Sequence, residues 1–265
     1  MSIVEALILG AVQGITEFLP VSSSGHLVLL QKIFHIDEPG ILFDVMLHVG
    51  TLFAVFAVLR KDILRLLQKP FQRLTAFLII ATIPIVVIAI LARDIIENLF
   101  KTGEYLGFAF LFTAFLLFIS DKISKHTRRS KNEYNTTLFD VLIIGILQAV
   151  AIIPGVSRSG STLSGALSRR LDRDFAARFI FLLSIPAVLG ALVLELRKLV
   201  NGGYQHEIDI FPYIAGTLTS AVVGFFSVKF MIAIVRKHSL WGFALYVTVL
   251  GLLILIDQNI TRFFF

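Results

Sequence analysis

Apolar runs of helical length alternate with short polar breaks along the whole chain. Uninterrupted runs occupy residues 41–59, 74–92, 104–120, 175–196, 210–235 and 240–256. Each is close to the ~20 apolar residues that a helix needs to cross a bilayer. Two further runs are interrupted. The first, residues 3–19, stops at Pro20. A proline disfavours helix in the residue before it, so the helix is expected to end at Leu19. Ser22, Ser23 and Ser24 then offer N-caps for a second short helix over residues 25–34. Two short helices meeting at a Pro/Ser break predict a re-entrant hairpin. Such backbone is tolerated inside a membrane only where protein or a water-filled cavity surrounds it.

The second interruption echoes the first. Gly145, Gln148, Ser157, Ser159 and Gly160 follow Gly10, Gln13, Ser22, Ser24 and Gly25 at a constant offset of 135. Both copies have an apolar run before the break, a proline near it and an amphipathic segment after it. The pattern predicts one integral-membrane domain, residues 1–265, made of two halves, 1–130 and 131–265. Each half holds a hairpin and three spans, and an odd number of spans inverts the second half. The expected fold is all-α: a polytopic membrane protein with six transmembrane helices and two re-entrant helical hairpins in an inverted-topology repeat. In such folds the site lies near the midplane, where discontinuous helices of the two halves meet.

Composition agrees with a membrane protein. Of the 265 residues 57% are hydrophobic and 16% charged, with mean hydropathy +0.87; a soluble domain has roughly 45–50% and 25%. The 25 phenylalanines suit lipid-facing and packing surfaces. A net charge of +6 would admit nucleic acid as a partner, but the basic residues fall between apolar runs, which the positive-inside rule explains better. Arg60, Lys61, Arg65, Lys69 and Arg73 follow one span, and Lys122, Lys125, Arg128, Arg129 and Lys131 follow another. With Arg236 and Lys237 they mark the cytoplasmic side. The connections 93–103 and 197–209, both termini and the opening of the site are then expected on the outer face of the cell membrane. The first hairpin enters from outside and the second from inside. Arg169, Arg170, Arg173 and Arg178 read as interfacial residues that can also attract anionic head groups. Trp241 reads as an interfacial anchor. With no cysteine, disulfides and thiolate chemistry are excluded. Residues 1–10 lack the basic segment of a cleaved signal peptide.

The breaks hold the candidate chemistry. Gln13 and Glu17, four apart, share a helix face that points at the break. Glu17 reads as a general base or orienting carboxylate, or as an ion-pair partner inside the bundle. Ser22, Ser23, Ser24, Gly25 and His26 open a helix, where exposed N–H groups and the helix dipole favour an anion. The serines alone read as caps; with His26 nearby, a nucleophile and its base become an option. Pro154-Gly155-Val156-Ser157-Arg158-Ser159-Gly160-Ser161-Thr162 reads as an oxyanion cradle, because arginine binds phosphate in a planar, bidentate way. Asp44 and His48, also four apart, either support the site or pair with each other. These groups suit phosphoryl transfer to water, where positioning and charge stabilisation dominate.

The stretches Q-G-I-T-E-F-L-P-V-S-S-S-G-H (13–26) and P-G-V-S-R-S-G-S-T (154–162) resemble the two signature motifs of the undecaprenyl-diphosphate phosphatase family, the bacitracin-resistance type. F-D-V-M-L-H-V-G-T (43–51) and F-L-L-S-I-P-A-V-L-G-A (181–191) also look like family segments, in the right order across the chain. The resemblance implies a membrane phosphatase that converts polyprenyl diphosphate to monophosphate and phosphate, recycling the cell-wall lipid carrier and removing the target of bacitracin. It implies a catalytic set of Glu17, Ser23, His26 and Arg158. Gln13, Ser22, Ser24, Gly25, Ser157, Ser159, Gly160, Ser161 and Thr162 are the substrate-binding candidates around it. Serine or histidine as nucleophile stays open. Members of the family often use a divalent cation, magnesium or calcium, with Glu17 as a candidate ligand. The first acidic position is often glutamate, and Gln13 cannot serve there as a base or charged ligand. The expected partners are the polyprenyl diphosphate lipid and the bilayer, with no nucleic acid. A secondary transporter or lipid flippase is the rival reading, because inverted repeats with broken helices also build transporters. A lipid-binding scaffold would leave the polar constellation unexplained.

Overall fold

The computed structural model describes residues 1–36, 40–125, 130–200 and 209–265. Arg128, Arg129 and the greater part of the 197–209 connection lie outside these residues. The described chain is helical, with one isolated bridge between Lys131 and Leu171. The first half contains α1 (Ile3–Thr16), α2 (Ser23–Ile33), α3 (Gly40–Val58), α4 (Arg60–Gln68), α5 (Arg73–Leu91), α6 (Arg93–Thr102) and α7 (Leu106–Lys125). The second contains α8 (Leu138–Val150), α9 (Arg158–Ser168), α10 (Arg173–Val200), α11 (Ile210–Lys237) and α12 (Trp241–Ile256).

Five helices, α5, α7, α10, α11 and α12, are long and apolar enough to cross a membrane. A sixth span is reached when α3 is taken with α4, which turns away from it by 81°. The chain is therefore an all-α, multi-pass membrane protein. The exposed surface of the spans carries Ile79, Ile83, Phe108, Phe115, Val222 and Phe226, as lipid contact requires. The basic connection after residue 59 is the amphipathic helix α4. Its exposed Leu64 and Leu67 and its Arg60, Lys61 and Arg65 suit a membrane surface. The 93–103 connection likewise holds α6, closed by Gly103 in the left-handed region.

The two short hairpins sit inside this frame. α1 ends at Thr16, three residues before the expected Leu19. Pro20 has no N–H to bond the Thr16 carbonyl, so the last turn cannot form. A turn over residues 17–21 leads into α2, whose N-cap is Ser22. α8 and α9 repeat the arrangement, with Ser157 as N-cap of α9.

Small residues let the hairpins dock closely, as membrane helices require. α1 packs on α11 and α8 packs on α5; α3 packs on α11 and α10 on α5. α3 also meets α10, and α7 meets α12. A side chain at Gly10 would strike the backbone of Gly216, and one at Gly145 would strike the backbone of Ala81. Both Gly145 and Gly216 lie 135 positions after their counterparts, Gly10 and Ala81. At the polar entrance to the second hairpin, Asp140 accepts from Lys131 at 2.7 Å, Arg169 at 2.7 Å and Thr137 at 2.9 Å.

Candidate active site

The two breaks touch. Ser159 Oγ donates to the Leu19 carbonyl at 2.9 Å. A methyl at Gly25 would come within 2.9 Å of Gly155 Cα and 2.6 Å of the Phe110 ring, so only glycine permits this approach. Gly155 itself has φ +90°.

Glu17 stands at the junction, on the turn just beyond α1. Its Oε1 pairs with Arg158 Nη2, which joins the first break to the second. Its Oε2 accepts from Ser23 Oγ at 2.5 Å and from Gln13 Nε2 at 3.0 Å. His48 Nε2, from α3, lies 3.3 Å from the same oxygen. His48 Nδ1 lies 2.7 Å from the Asp44 carbonyl, so both ring nitrogens face acceptors, an arrangement that suits the imidazolium. The Glu17 side chain is 4% exposed, whereas Arg158 and His48 keep 21% and 24%. The carboxylate is thus enclosed, and the two cationic groups form its accessible rim. A buried carboxylate without such partners would be costly.

The structure separates the two readings of Asp44 and His48. Asp44 Oδ1 accepts from Gln31 Nε2 at 2.9 Å, and His48 reaches Glu17 rather than the Asp44 carboxylate. His48 belongs to the site. The geometry also departs from a Ser23–His26 pair. His26 Nδ1 lies 2.7 Å from the Ser22 carbonyl and its Nε2 lies 2.8 Å from the Tyr246 hydroxyl. The group on Ser23 is Glu17.

Several candidate binding groups serve the scaffold. Ser22 Oγ caps α2 by accepting from Gly25 N at 3.3 Å and lies 3.4 Å from Ser24 Oγ. Ser157 Oγ caps α9 by accepting from Gly160 N at 3.0 Å. Thr162 Oγ1 donates back to the Arg158 carbonyl at 2.7 Å, inside the helix. Ser161 is fully buried and its Oγ has no hydrogen-bond partner. Of the second-break residues expected to bind substrate, Ser157 and Thr162 bond to backbone groups of their own helix, as hydroxyls near a helix start do, and Ser161 is buried in protein. Thr113 of α7 fixes this break: its Oγ1 accepts from Ser157 N at 3.0 Å, and its proton faces the Ala109 carbonyl at 3.1 Å and the Gly155 carbonyl at 3.3 Å. Neither Thr113 nor Tyr246 carries a local sequence signal.

Glu17 is the candidate ligand that the sequence offers for a divalent cation. Glu17 is surrounded by donors and cations, and among the described residues no group of three or more His, Cys, Asp or Glu could hold a metal ion. The enclosed carboxylate, the hydroxyl on it and the cationic rim suit a phosphate.

The comparisons with known proteins point the same way. The family model described as "Bacitracin resistance protein BacA" matches residues 6–253. A relative from Carboxydothermus hydrogenoformans, named undecaprenyl-diphosphatase, is 46% identical over 99% of this chain and 100% of its own. Undecaprenyl-diphosphatase 4 of Bacillus thuringiensis subsp. konkukian is 46% identical over 97% of this chain and 98% of its own. A relative in Methanosphaera stadtmanae, also named undecaprenyl-diphosphatase, is 36% identical over 97% and 98% of the two chains. With both breaks, the carboxylate and the arginine inside the matched region, the chain belongs to the BacA bacitracin-resistance family.

Proposed function

We propose that this chain is an undecaprenyl-diphosphate phosphatase whose active centre is the junction of its two helix breaks. It removes the terminal phosphate of the polyprenyl diphosphate, leaving the monophosphate. This recycles the cell-wall lipid carrier, and loss of the diphosphate removes the target of bacitracin. Family membership and the names of the full-length relatives support the activity. The observation that carries the site is the single carboxylate that joins Ser23 to Arg158.

The geometry divides the work as follows. Arg158 presents five N–H donors in a planar fork, of which Glu17 engages one terminal nitrogen, so other donors remain for a phosphate. A phosphate drawn to Arg158 competes with Glu17 for it and leaves the carboxylate to Ser23. Ser23 Oγ attacks the terminal phosphorus while Glu17 takes its proton. The bond from that phosphorus to the bridging oxygen breaks, and polyprenyl monophosphate leaves. Water then attacks the phosphoserine, phosphate is released and Ser23 regains its proton. Arg158 and His48 oppose the charge on the phosphoryl oxygens; one such donor is typically worth ~10²–10³ in rate.

The halves 1–130 and 131–265 are, in this reading, an inverted repeat, supported by the exchanged α1–α11 and α8–α5 packing. The basic connections support a cytoplasmic face opposite the termini and the site opening. A hydroxyl, a carboxylate and a guanidinium brought together at one point favour hydrolysis over passage alone. Phosphate release from a polyprenyl diphosphate in detergent tests the reading. Wild type is expected to release phosphate, and Ser23→Ala to lose about 10³-fold or more in kcat. No release by wild type, or undiminished release by Ser23→Ala, contradicts it.

A further inference from the structure

Ser22, immediately before the serine on Glu17, has φ +70° and ψ +93°. That region is sparsely populated for residues other than glycine, and it persists only where surrounding contacts hold it. Here the contacts converge on the Ser22 carbonyl. It accepts from His26 N at 3.2 Å and faces His26 Nδ1 at 2.7 Å. A carbonyl oxygen only accepts, so Nδ1 carries the ring proton and Nε2 is left as the acceptor for a neutral ring. Tyr246 Oη donates to that Nε2 at 2.8 Å. The imidazole is clamped between the Tyr246 ring, stacked at 5.8 Å, and the Phe110 ring, edge-on at 5.4 Å. His26 is 8% exposed, and Tyr246 comes from α12, 220 residues along the chain.

From this geometry we infer that Tyr246 and His26 form a positioning relay for the proposed phosphatase reaction. Tyr246 fixes the ring and tautomer of His26, His26 fixes the Ser22 carbonyl, and the strained Ser22 peptide aims Ser23 at Glu17. The relay rests on the phosphatase reading for its consequence in turnover, but its hydrogen bonds exist independently of that reading. It assigns His26 the task of holding the backbone through Nδ1, and no proton transfer at the phosphorus. It also ties α12 of one half to the broken helix of the other.

The two ring nitrogens can be tested separately, because an asparagine amide stands near the Nδ1 position and a glutamine amide near Nε2. Purified variants are compared for kcat and KM with a polyprenyl diphosphate. Tyr246→Phe keeps the ring stack and loses only the hydroxyl; kcat falls roughly five- to tenfold, the scale of one hydrogen bond, while KM stays within about twofold. His26→Asn retains at least about tenfold more turnover than His26→Gln, since it alone can still donate to the Ser22 carbonyl. Equal loss in both His26 variants, a more active His26→Gln, or wild-type kcat in Tyr246→Phe overturns the relay. A second readout needs no activity. In protein labelled with ¹⁵N-histidine, with His26 assigned by the signal missing from His26→Asn, the wild-type ring shows the Nδ1–H tautomer, and Tyr246→Phe shifts the Nε2 resonance. An Nε2–H tautomer in wild type overturns the relay even where phosphate release is normal. Absent phosphate release with the Nδ1–H tautomer present contradicts the phosphatase reading instead and leaves the relay's geometry supported.

Discussion

The first and second helix breaks share two serines and a glycine, Ser22, Ser24 and Gly25 against Ser157, Ser159 and Gly160, but differ at the positions that bear charge. At the offset of 135, Glu17, Ser23, His26 and His48 correspond to Ile152, Arg158, Ser161 and Leu183. The first break holds a carboxylate, a hydroxyl and an imidazole, His48 joins them from α3, and the strained Ser22 is fastened by His26 and Tyr246. The second is fastened by hydroxyl-to-backbone bonds from Thr113, Ser157 and Ser159, and contributes one guanidinium. Gln148, at the place of Gln13, has no carboxylate to meet and donates to the Ala81 carbonyl at 3.3 Å. On the proposed repeat, one scaffold used twice yields a site because its copies differ. One copy carries the reacting groups, the other a fixed cation, and the Glu17–Arg158 pair joins them.

Substitutions can break this division of labour, and the largest effects belong at the junction. Glu17→Gln keeps the shape of the first break and removes its base; kcat is expected to fall about 10²–10⁴-fold with KM little changed. Arg158→Ala removes the cation of the second break, so phosphate-release kinetics should show both a lower kcat and a higher KM. An unaltered KM in Arg158→Ala would erase the contrast between the breaks. A smaller effect is expected from Thr113→Val, which leaves Ser157 N and the Gly155 carbonyl without their partner. Thermal unfolding should report a loss of about 1–3 kcal/mol, with a KM change larger than the kcat change.

The smallest effect lies at the entrance to the second hairpin. Burial pushes the Asp140 carboxyl up, but hydrogen bonds from Lys131, Thr137 and Arg169 outweigh it and hold it at about 2. A carboxyl held below its ordinary 3.8 stabilises the fold fully above that value and loses the contribution as pH falls towards about 2. Asp140→Asn should therefore lower Tm at neutral pH, and the gap to wild type should narrow in that acidic range. Turnover at neutral pH should change less than in any junction variant.

Much of this was legible in the chain itself. Pro20 and the serine run announce the first hairpin, and the echo at Ser157–Arg158–Ser159 announces the second. The echo also led to the expectation that Glu17 and Arg158 meet, since broken helices of paired halves converge on one site. The partner of Ser23 was not legible, because His26 lies three residues away in sequence while the carboxylate arrives by way of the turn at Pro20. The reach of His48 to Glu17 depends on how α3 packs beside α1, which no spacing encodes. Tyr246 and Thr113 sit in apolar spans, where a lone hydroxyl looks like any interfacial or back-bonded residue. The short helices α4 and α6 were hidden by their charge, which reads as loop although their apolar positions recur at helical spacing.

A double-mutant cycle across the junction tests the shared site most directly. Glu17→Asp and Arg158→Lys are mild enough to leave measurable turnover, and kcat/KM for polyprenyl diphosphate is taken for wild type, both singles and the double. If the two breaks form one centre through this pair, the double variant stays within about threefold of the worse single, because groups acting as a unit are not additive. If the losses simply multiply, the carboxylate and the guanidinium act apart and the two breaks are not one active site.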